Sequence, residues 1–487
     1  MTKNNTSSRR DFLKTTGALA AGATLVGGLG VGRSAHAAGS DLIKVALVGC
    51  GGRGSGAIRN RLKVGDNVKV VAVADAFEFA AKKGAENLRN ESKSDDAKFA
   101  YAKGKIDLPD DRVFSGIDCH KKAIDCLGPG DLAVIATPPG FRPFQYRYAI
   151  EKGAHVFMEK PCCVDAPGYR SLMETNKMAD EKNLKVCVGL QRRHDDGIKA
   201  WMEKLHGGII GDLSFTRVYW NSGQIWCRNR TPEETEMQFQ MKNWYHFLWL
   251  CGDNICEQHI HNLDMGLWMH GKGYPMCHPI EVNAQGGRQN KGAPEEVLRT
   301  APPFADRNAW NAWYEKNRGV STRHGQAWDH FFCEYTFADG SKMFSQCRHI
   351  NNCFNSVTQF AHGTKGWGNV EGKGWFKDAA GNEIFATPSN PSQFDLEHVR
   401  HTEAIRENKP MNNGWYGANS SMTAVFGRMA AFSGKVLTWD EAVAKGKAEM
   451  PVDGVWDWNV NAPVMPDADG FYEGSVAKQG AYDPYVG

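Results

Sequence analysis

Lys160, Glu257 and His261 are residues of the types that take a proton from a hydroxyl group and steady the alkoxide left behind. A histidine titrates near working pH, which suits His261 to act as a general base. Glu257 lies four residues earlier. On one helix the two side chains would share a face, and the carboxylate could hold the imidazole in one tautomer. Asp264, three residues after His261, could serve that face or cap a helix. Lys160 brings an ammonium that can stabilise an alkoxide and return a proton in the reverse direction. Its plainer reading is a surface lysine in a salt bridge. The spacing His259-x-His261 is a weak metal signal, and no fitting set of carboxylates and cysteines accompanies it, so no metal is expected.

Such groups need a scaffold, and the first half of the chain supplies one. Residues 43–48, I-K-V-A-L-V, read as a buried strand. The strand runs into Gly49-Cys50-Gly51-Gly52-Arg53-Gly54, the spacing G-x-G-x-x-G, and a helix is expected from Ser55. Glycines there allow a tight turn, approach of a pyrophosphate and close packing of helix on strand. A second strand, residues 68–74, ends at Asp75. An acid in that place accepts hydrogen bonds from ribose hydroxyls and repels a 2′-phosphate, so the expected cofactor is NAD rather than NADP. A third strand, residues 131–137, leads into Thr137-Pro138. After a helix near residues 143–152, a fourth strand ends at Met158, before Glu159 and Lys160. Strands alternating with helices predict a doubly wound parallel sheet, with ligands at the carboxyl ends of its strands. That places Thr137, Pro138, Glu159 and Lys160 beside the cofactor.

A glycine-motif domain followed by Glu159-Lys160-Pro161 at a strand end resembles the glucose–fructose oxidoreductase/inositol dehydrogenase (Gfo/Idh/MocA) family. The resemblance continues at residues 188–194, V-G-L-Q-R-R-H, which look like the strand opening the second domain. It extends to residues 256–264, where the family usually carries D-x-G-x-H-x-x-D, and to the strand-rich region 332–366. It implies an α/β fold: an N-terminal Rossmann domain (41–163), then an α+β domain with a large open, mainly antiparallel sheet (164–450), then a tail (451–487). It also implies hydride transfer between a nicotinamide cofactor and a sugar, polyol or glycoside. Gln191 would join the cofactor site, and Arg193, His194, Tyr245, His261 and Asp264 the substrate site. Tryptophans 220, 226, 244, 249 and 268 cluster in the second domain. Aromatic faces suit sugar C–H faces, though most such residues are core. The sheet implies a dimer or tetramer.

This chain departs from the family pattern. Glu257 replaces the usual aspartate and His259 the usual glycine, and Pro138 to Pro143 replaces an N-x-x-H segment. The alternative activity is an NAD-dependent glycosidase of the same fold, which oxidises its sugar transiently.

Residues 8–14, S-R-R-D-F-L-K, precede a short apolar run and Ala35-His36-Ala37. That order marks an export signal over residues 1–37 and resembles the twin-arginine type, which carries folded proteins to the periplasm. The expected partners are thus the translocase and a small carbohydrate. The net charge of +3 belongs to the signal, with its five basic residues and one acid; the remainder is near neutral. That favours no nucleic-acid partner. No later stretch is apolar enough to span a membrane. The 13 cysteines are scattered, with Cys347–Cys353 the example of a bridge the periplasm would allow.

Overall fold

The computed structural model describes residues 42–65, 67–228, 230–231, 233–272, 274–289, 300–317, 325–387 and 392–486. The export signal lies outside the described residues. Valine-rich runs build the first sheet. Strands β1 (Ile43–Val48), β2 (Val68–Asp75), β3 (Val113–Ser115), β4 (Leu132–Ile135), β5 (His155–Met158) and β6 (Val186–Val188) are all parallel, in the order β3-β2-β1-β4-β5-β6. Val45, Leu132, Val134 and Phe157 are fully buried, as expected of a sheet covered on both faces. Helices α1 (Gly52–Lys63), α2 (Glu78–Lys93), α3 (Arg142–Glu151) and α4 (Ala166–Glu181) make crossovers. Strand order reverses between β1 and β4, and that is where such sheets open a crevice.

One boundary differs from the sequence expectation. The parallel sheet does not stop at residue 163. The crossover helix α4 returns the chain to the sheet edge, and Val186–Val188 pairs with β5 as a sixth strand. Three residues are too few to show a period, so this strand reads from sequence as the start of the next domain.

Among the described residues the second sheet has nine strands. To β7 (Leu213–Ser222) are added β8 (Glu281–Gly287), β9 (His330–Thr336), β10 (Lys342–His349), β11 (Ser356–Gly363), β12 (Gly366–Asn369), β13 (Trp375–Asp378), β14 (Glu383–Ala386) and β15 (Leu437–Thr438). The order is β14-β13-β12-β11-β7-β10-β9-β8-β15, antiparallel except where β7 meets β10. Burial alternates along β10, so one face is core. Between β7 and β8 lie α5 (Glu236–Lys242), α6 (Asn254–Glu257) and α7 (Ile260–Gly271). Further on come α8 (Arg307–Asn317), α9 (Gln393–Arg406) and α10 (Gly414–Ser433). Helices α7 and α10 pack against the buried sheet face. Helix α9 crosses to the first domain, where Arg61 of α1 donates to the His398 carbonyl at 3.1 Å.

The tail folds back on its own chain. Trp458 packs on Phe77 at 5.2 Å between centroids, and Trp456 on Phe141 at 5.9 Å. All 13 cysteines are free thiols, so Cys347 and Cys353 form no bridge.

Candidate active site

A cleft of about 1030 Å³ opens at the carboxyl ends of β1, β4 and β5 and is walled on its far side by the second domain. The glycine loop forms its floor. Gly49 has φ +98°, and an added Cβ would lie 2.8 Å from the Ala136 carbonyl carbon. At Gly54 an added Cβ would come within 1.9 Å of the Gly49 oxygen, so only glycine lets α1 sit this close to β1. Around Gly51 and Gly52, by contrast, added Cβ atoms would meet nothing within 4 Å. The open backbone leads to the N-terminus of α1, which has no side-chain cap. Its free N–H groups suit a pyrophosphate. Asp75 fixes this loop: Oδ2 accepts from the Cys50 N–H at 2.8 Å and Oδ1 from Phe77 N–H at 3.0 Å. Burial raises its pKa, and those two hydrogen bonds oppose the rise.

Arg53 reaches along the cleft wall. Its Nε donates to Glu159 at 2.5 Å and Nη2 to Glu397 of α9 at 3.2 Å. Burial holds the Glu397 carboxyl well above its usual range, with Glu159 adding to the rise. Gly189 makes room for Glu159, since an added Cβ would be 2.5 Å from its carboxylate. Thr137 Oγ1 donates to Gln145 at 2.6 Å. Arg142, buried, donates to the carbonyls of both Thr137 and Pro161 and so ties the β4 loop to the segment carrying Lys160. Pro138 and Gln191 complete the wall.

Lys160 Nζ donates to Glu257 Oε1 at 2.8 Å and to the Glu257 carbonyl at 2.6 Å. The pair is largely buried, with side chains 13% and 4% exposed. Burial raises the Glu257 pKa while Lys160 and Arg142 oppose it. Tyr245 Oη lies 3.4 Å from the same carboxylate oxygen and accepts from Gln258. His261 lines the cleft and stacks on Trp220, with centroids 5.8 Å apart. Neither of its ring nitrogens has a hydrogen-bond partner among the described residues, and Nδ1 is buried. Burial pushes its pKa well down, and the cations Lys160, Arg192 and Arg53 push it further. The imidazole is therefore held in its neutral form, with no hydrogen-bond partner among the described residues.

The structure corrects several expectations. Glu257 is the partner of Lys160 rather than the orienting group of His261. Helix α6 ends at Glu257 and α7 starts at Ile260, so the four-residue spacing does not run along one helix. His259 turns away to Ser345, 2.7 Å from its Oγ. Arg193, His194 and Asp264 do not face the cleft. The turn Gln191–His194 presents its first two residues to the cleft and its last two to the opposite side. Arg193 forms a forked pair with Asp264 at 2.9–3.1 Å and lies against Tyr416. His194 is buried, and burial lowers its pKa to about 3. Of the tryptophans, 220, 226 and 244 line the cleft, whereas Trp249 is core. Arg142, Arg192 and Arg228 are cleft residues that sequence reasoning does not assign. Only the unusual Pro-Pro-Gly-Phe-Arg-Pro run hints at the first.

Residues 43–190 match the family model described as "Oxidoreductase family, NAD-binding Rossmann fold" (GFO_IDH_MocA), and residues 6–26 match the twin-arginine translocation pathway signal. The chain is similar to an inositol 2-dehydrogenase of Leifsonia xyli subsp. xyli, 26% identical over 39% of this chain and 47% of that protein. It is also similar to a glycosyl hydrolase family 109 protein of Porphyromonas gingivalis, 23% identical over 38% of each. It thus spans less than half the length of these curated relatives. A levoglucosan dehydrogenase solved with NADH and levoglucosan shares the fold, with TM-score 0.56 and 15% identity over 81% of this chain and 99% of that one. Residues 43–190, with the glycine loop and the Glu159-Lys160-Pro161 segment in place, thus match the NAD-binding domain of the Gfo/Idh/MocA oxidoreductase family.

Proposed function

We propose that this is an exported NAD-dependent oxidoreductase that takes a hydride from a hydroxyl-bearing carbon of a sugar, polyol or glycoside. The observation that carries the reading is the Lys160–Glu257 pair beside an unpartnered His261, at one end of the cleft that holds the glycine loop. The residues fit a dinucleotide: the open loop at Gly51 and Gly52, the uncapped α1 N-terminus and the Asp75 carboxylate. Bound NAD supplies the hydride acceptor. His261 takes the hydroxyl proton as a general base. Lys160, its charge balanced by Glu257, holds the developing alkoxide. The hydroxyl carbon is oxidised to a carbonyl, the hydride leaves with the cofactor, and the proton stays on His261. The names of the relatives, inositol 2-dehydrogenase and levoglucosan dehydrogenase, support a polyol or sugar substrate.

The cofactor and the signal each lead to an expected result. Purified protein, denatured mildly, should release NAD(H). Asp75 stands at the glycine loop, where a 2′-phosphate would meet its charge. Release of NADP(H) instead would contradict the assignment. The change Arg9→Lys with Arg10→Lys should leave precursor in the cytoplasm, while the native chain reaches the periplasm with its N-terminus near Ala38. Normal delivery of the double variant, read by cell fractionation, would exclude the twin-arginine route.

A second reading has its own support in the glycosyl hydrolase family 109 relative. In that reading, transient oxidation leads to cleavage of a glycoside, and release of an aryl leaving group without lasting NADH would distinguish it. The outer face of the nine-stranded sheet carries the half-buried Phe215, Phe344 and Phe360 and the exposed Phe332. It is the surface proposed for a homo-oligomer. Among the described residues no helix is long and apolar enough to cross a membrane.

A further inference from the structure

Among the described residues, Lys160 and the second-domain wall that faces it bring four cations to this end of the cleft, and three of them have carboxylate partners. Lys160 pairs with Glu257 at 2.8 Å, Arg192 with Glu371 at 3.1 Å and Lys242 with Glu234 at 2.5 Å. Arg228 is the fourth. Among the described residues its guanidinium forms no ion pair and no hydrogen bond, although its backbone is firmly held. The Arg228 N–H donates to Asn243 Oδ1 at 2.6 Å, and its carbonyl accepts from Asn243 Nδ2 at 3.1 Å. Asn243 itself is fully buried. Beneath the guanidinium, 5.2 Å away, lies the Trp226 ring, which is 43% exposed for so large an apolar residue. Trp226 meets Tyr245 edge-on at 5.6 Å, and Tyr245 touches Glu257. A continuous track therefore runs from Lys160 through Tyr245 and the Trp226 ring to an unneutralised guanidinium.

We propose that the substrate is an acidic sugar, its ring seated on Trp226 and its carboxylate held by Arg228, away from the reacting carbon. This rests on the reading of the cleft as a site of hydroxyl oxidation and names the substrate class for it. An exposed aromatic face offers C–H stacking to a sugar ring. The guanidinium fork matches the two oxygens of a carboxylate and is not already occupied by one. One unpaired cation balances a singly charged carboxylate better than a doubly charged phosphate ester, since the other cations of that wall are already neutralised.

The test uses the protein as purified with its bound nucleotide. Glucuronate and galacturonate are compared with glucose, galactose and glucose 6-phosphate, following nicotinamide absorbance. Charge-assisted hydrogen bonds of this kind lead us to expect an apparent KM about 10–100-fold lower for a uronate than for its neutral counterpart. Arg228→Gln should collapse that ratio towards one, mainly through KM with little change in kcat for the uronate, and Arg228→Lys should restore part of it. Equal use of uronates and neutral sugars by the native protein overturns the proposal. So does a preference that survives Arg228→Gln, or a clear preference for the phosphate ester. If no sugar reduces the nucleotide, the oxidation reading fails, and tryptophan fluorescence then tests the site by itself. Uronate binding lost in Arg228→Gln upholds the carboxylate site, and binding equal in both proteins, or absent from both, overturns it.

Discussion

His261→Ala should reduce bound nucleotide in a single turnover about 10²–10⁴ times more slowly than the native protein, the usual loss when a general base is removed. The nucleotide should remain bound, because among the described residues no hydrogen bond links His261 to the glycine loop or to Asp75. Lys160→Ala should produce a loss of similar size for a different reason. It leaves Glu257, buried and 4% exposed, with its main countercharge gone. The pH profile separates the two roles. In the native protein burial and three nearby cations hold the His261 pKa well below its ordinary value, so the base that the proposal requires is in its neutral form. Protonation removes the base, so kcat/KM should stay level through neutral pH. It should fall only on the acid side of the ordinary histidine range near 6.5. Lys160→Ala removes one of those cations, and its acid limb should move upward. A native acid limb at the ordinary histidine value, or alanine variants that react at the native rate, would show that this histidine is not the base.

The other large effect is expected at Gly54. A Cβ placed there would be 1.9 Å from the Gly49 carbonyl oxygen, and neither atom belongs to a flexible side chain. Gly54→Ala must push α1 away from β1 and with it the N–H groups at the helix start. Overpacking of backbone against backbone costs about 1–3 kcal/mol or more. The variant should fold with a lowered Tm and be isolated without NAD(H). Gly56→Ala, two residues on in α1, makes a fair control, since an added Cβ there meets only the Arg53 guanidinium at an ordinary 3.5 Å and Gly56 does not line the cleft. Nucleotide content of the two purified proteins, measured after denaturation, decides the matter. Equal content would mean that the loop does not hold the cofactor.

Local spacing makes part of this site legible in the amino-acid sequence. The glycine motif, Asp75 and Lys160 each end a strand or open a helix, and a strand end in a parallel sheet faces the ligand crevice. What joins distant segments is not legible in the same way. The Lys160–Glu257 pair spans 97 positions, and nothing near either residue announces the other. Glu257 and His261 look like neighbours on one helix, but the chain breaks between α6 and α7 and turns the carboxylate to the lysine. Arg193 and His194 are misplaced for a related reason. A four-residue turn sends adjacent side chains to opposite sides, and sequence carries no period there to say which. Arg142, Arg192 and Arg228 are chemically alike in sequence. Only burial and partners distinguish an arginine that braces a loop from one left unneutralised.

The centre of the nine-stranded sheet has a kinetic consequence. Strand β7 lies between β10 and β11, and its parallel pairing sets Phe215 against Lys342. The middle of the sheet cannot close until the ribosome has delivered everything in between. Contacts this far apart in sequence must overcome loop-closure entropy before they return any stability, and such topologies fold slowly. A chain of this kind would be a poor passenger for any export channel that threads an unfolded polypeptide and leaves it to fold on the far side. Residues 6–26 match the twin-arginine signal, and on the proposed route the slow step would be completed before translocation.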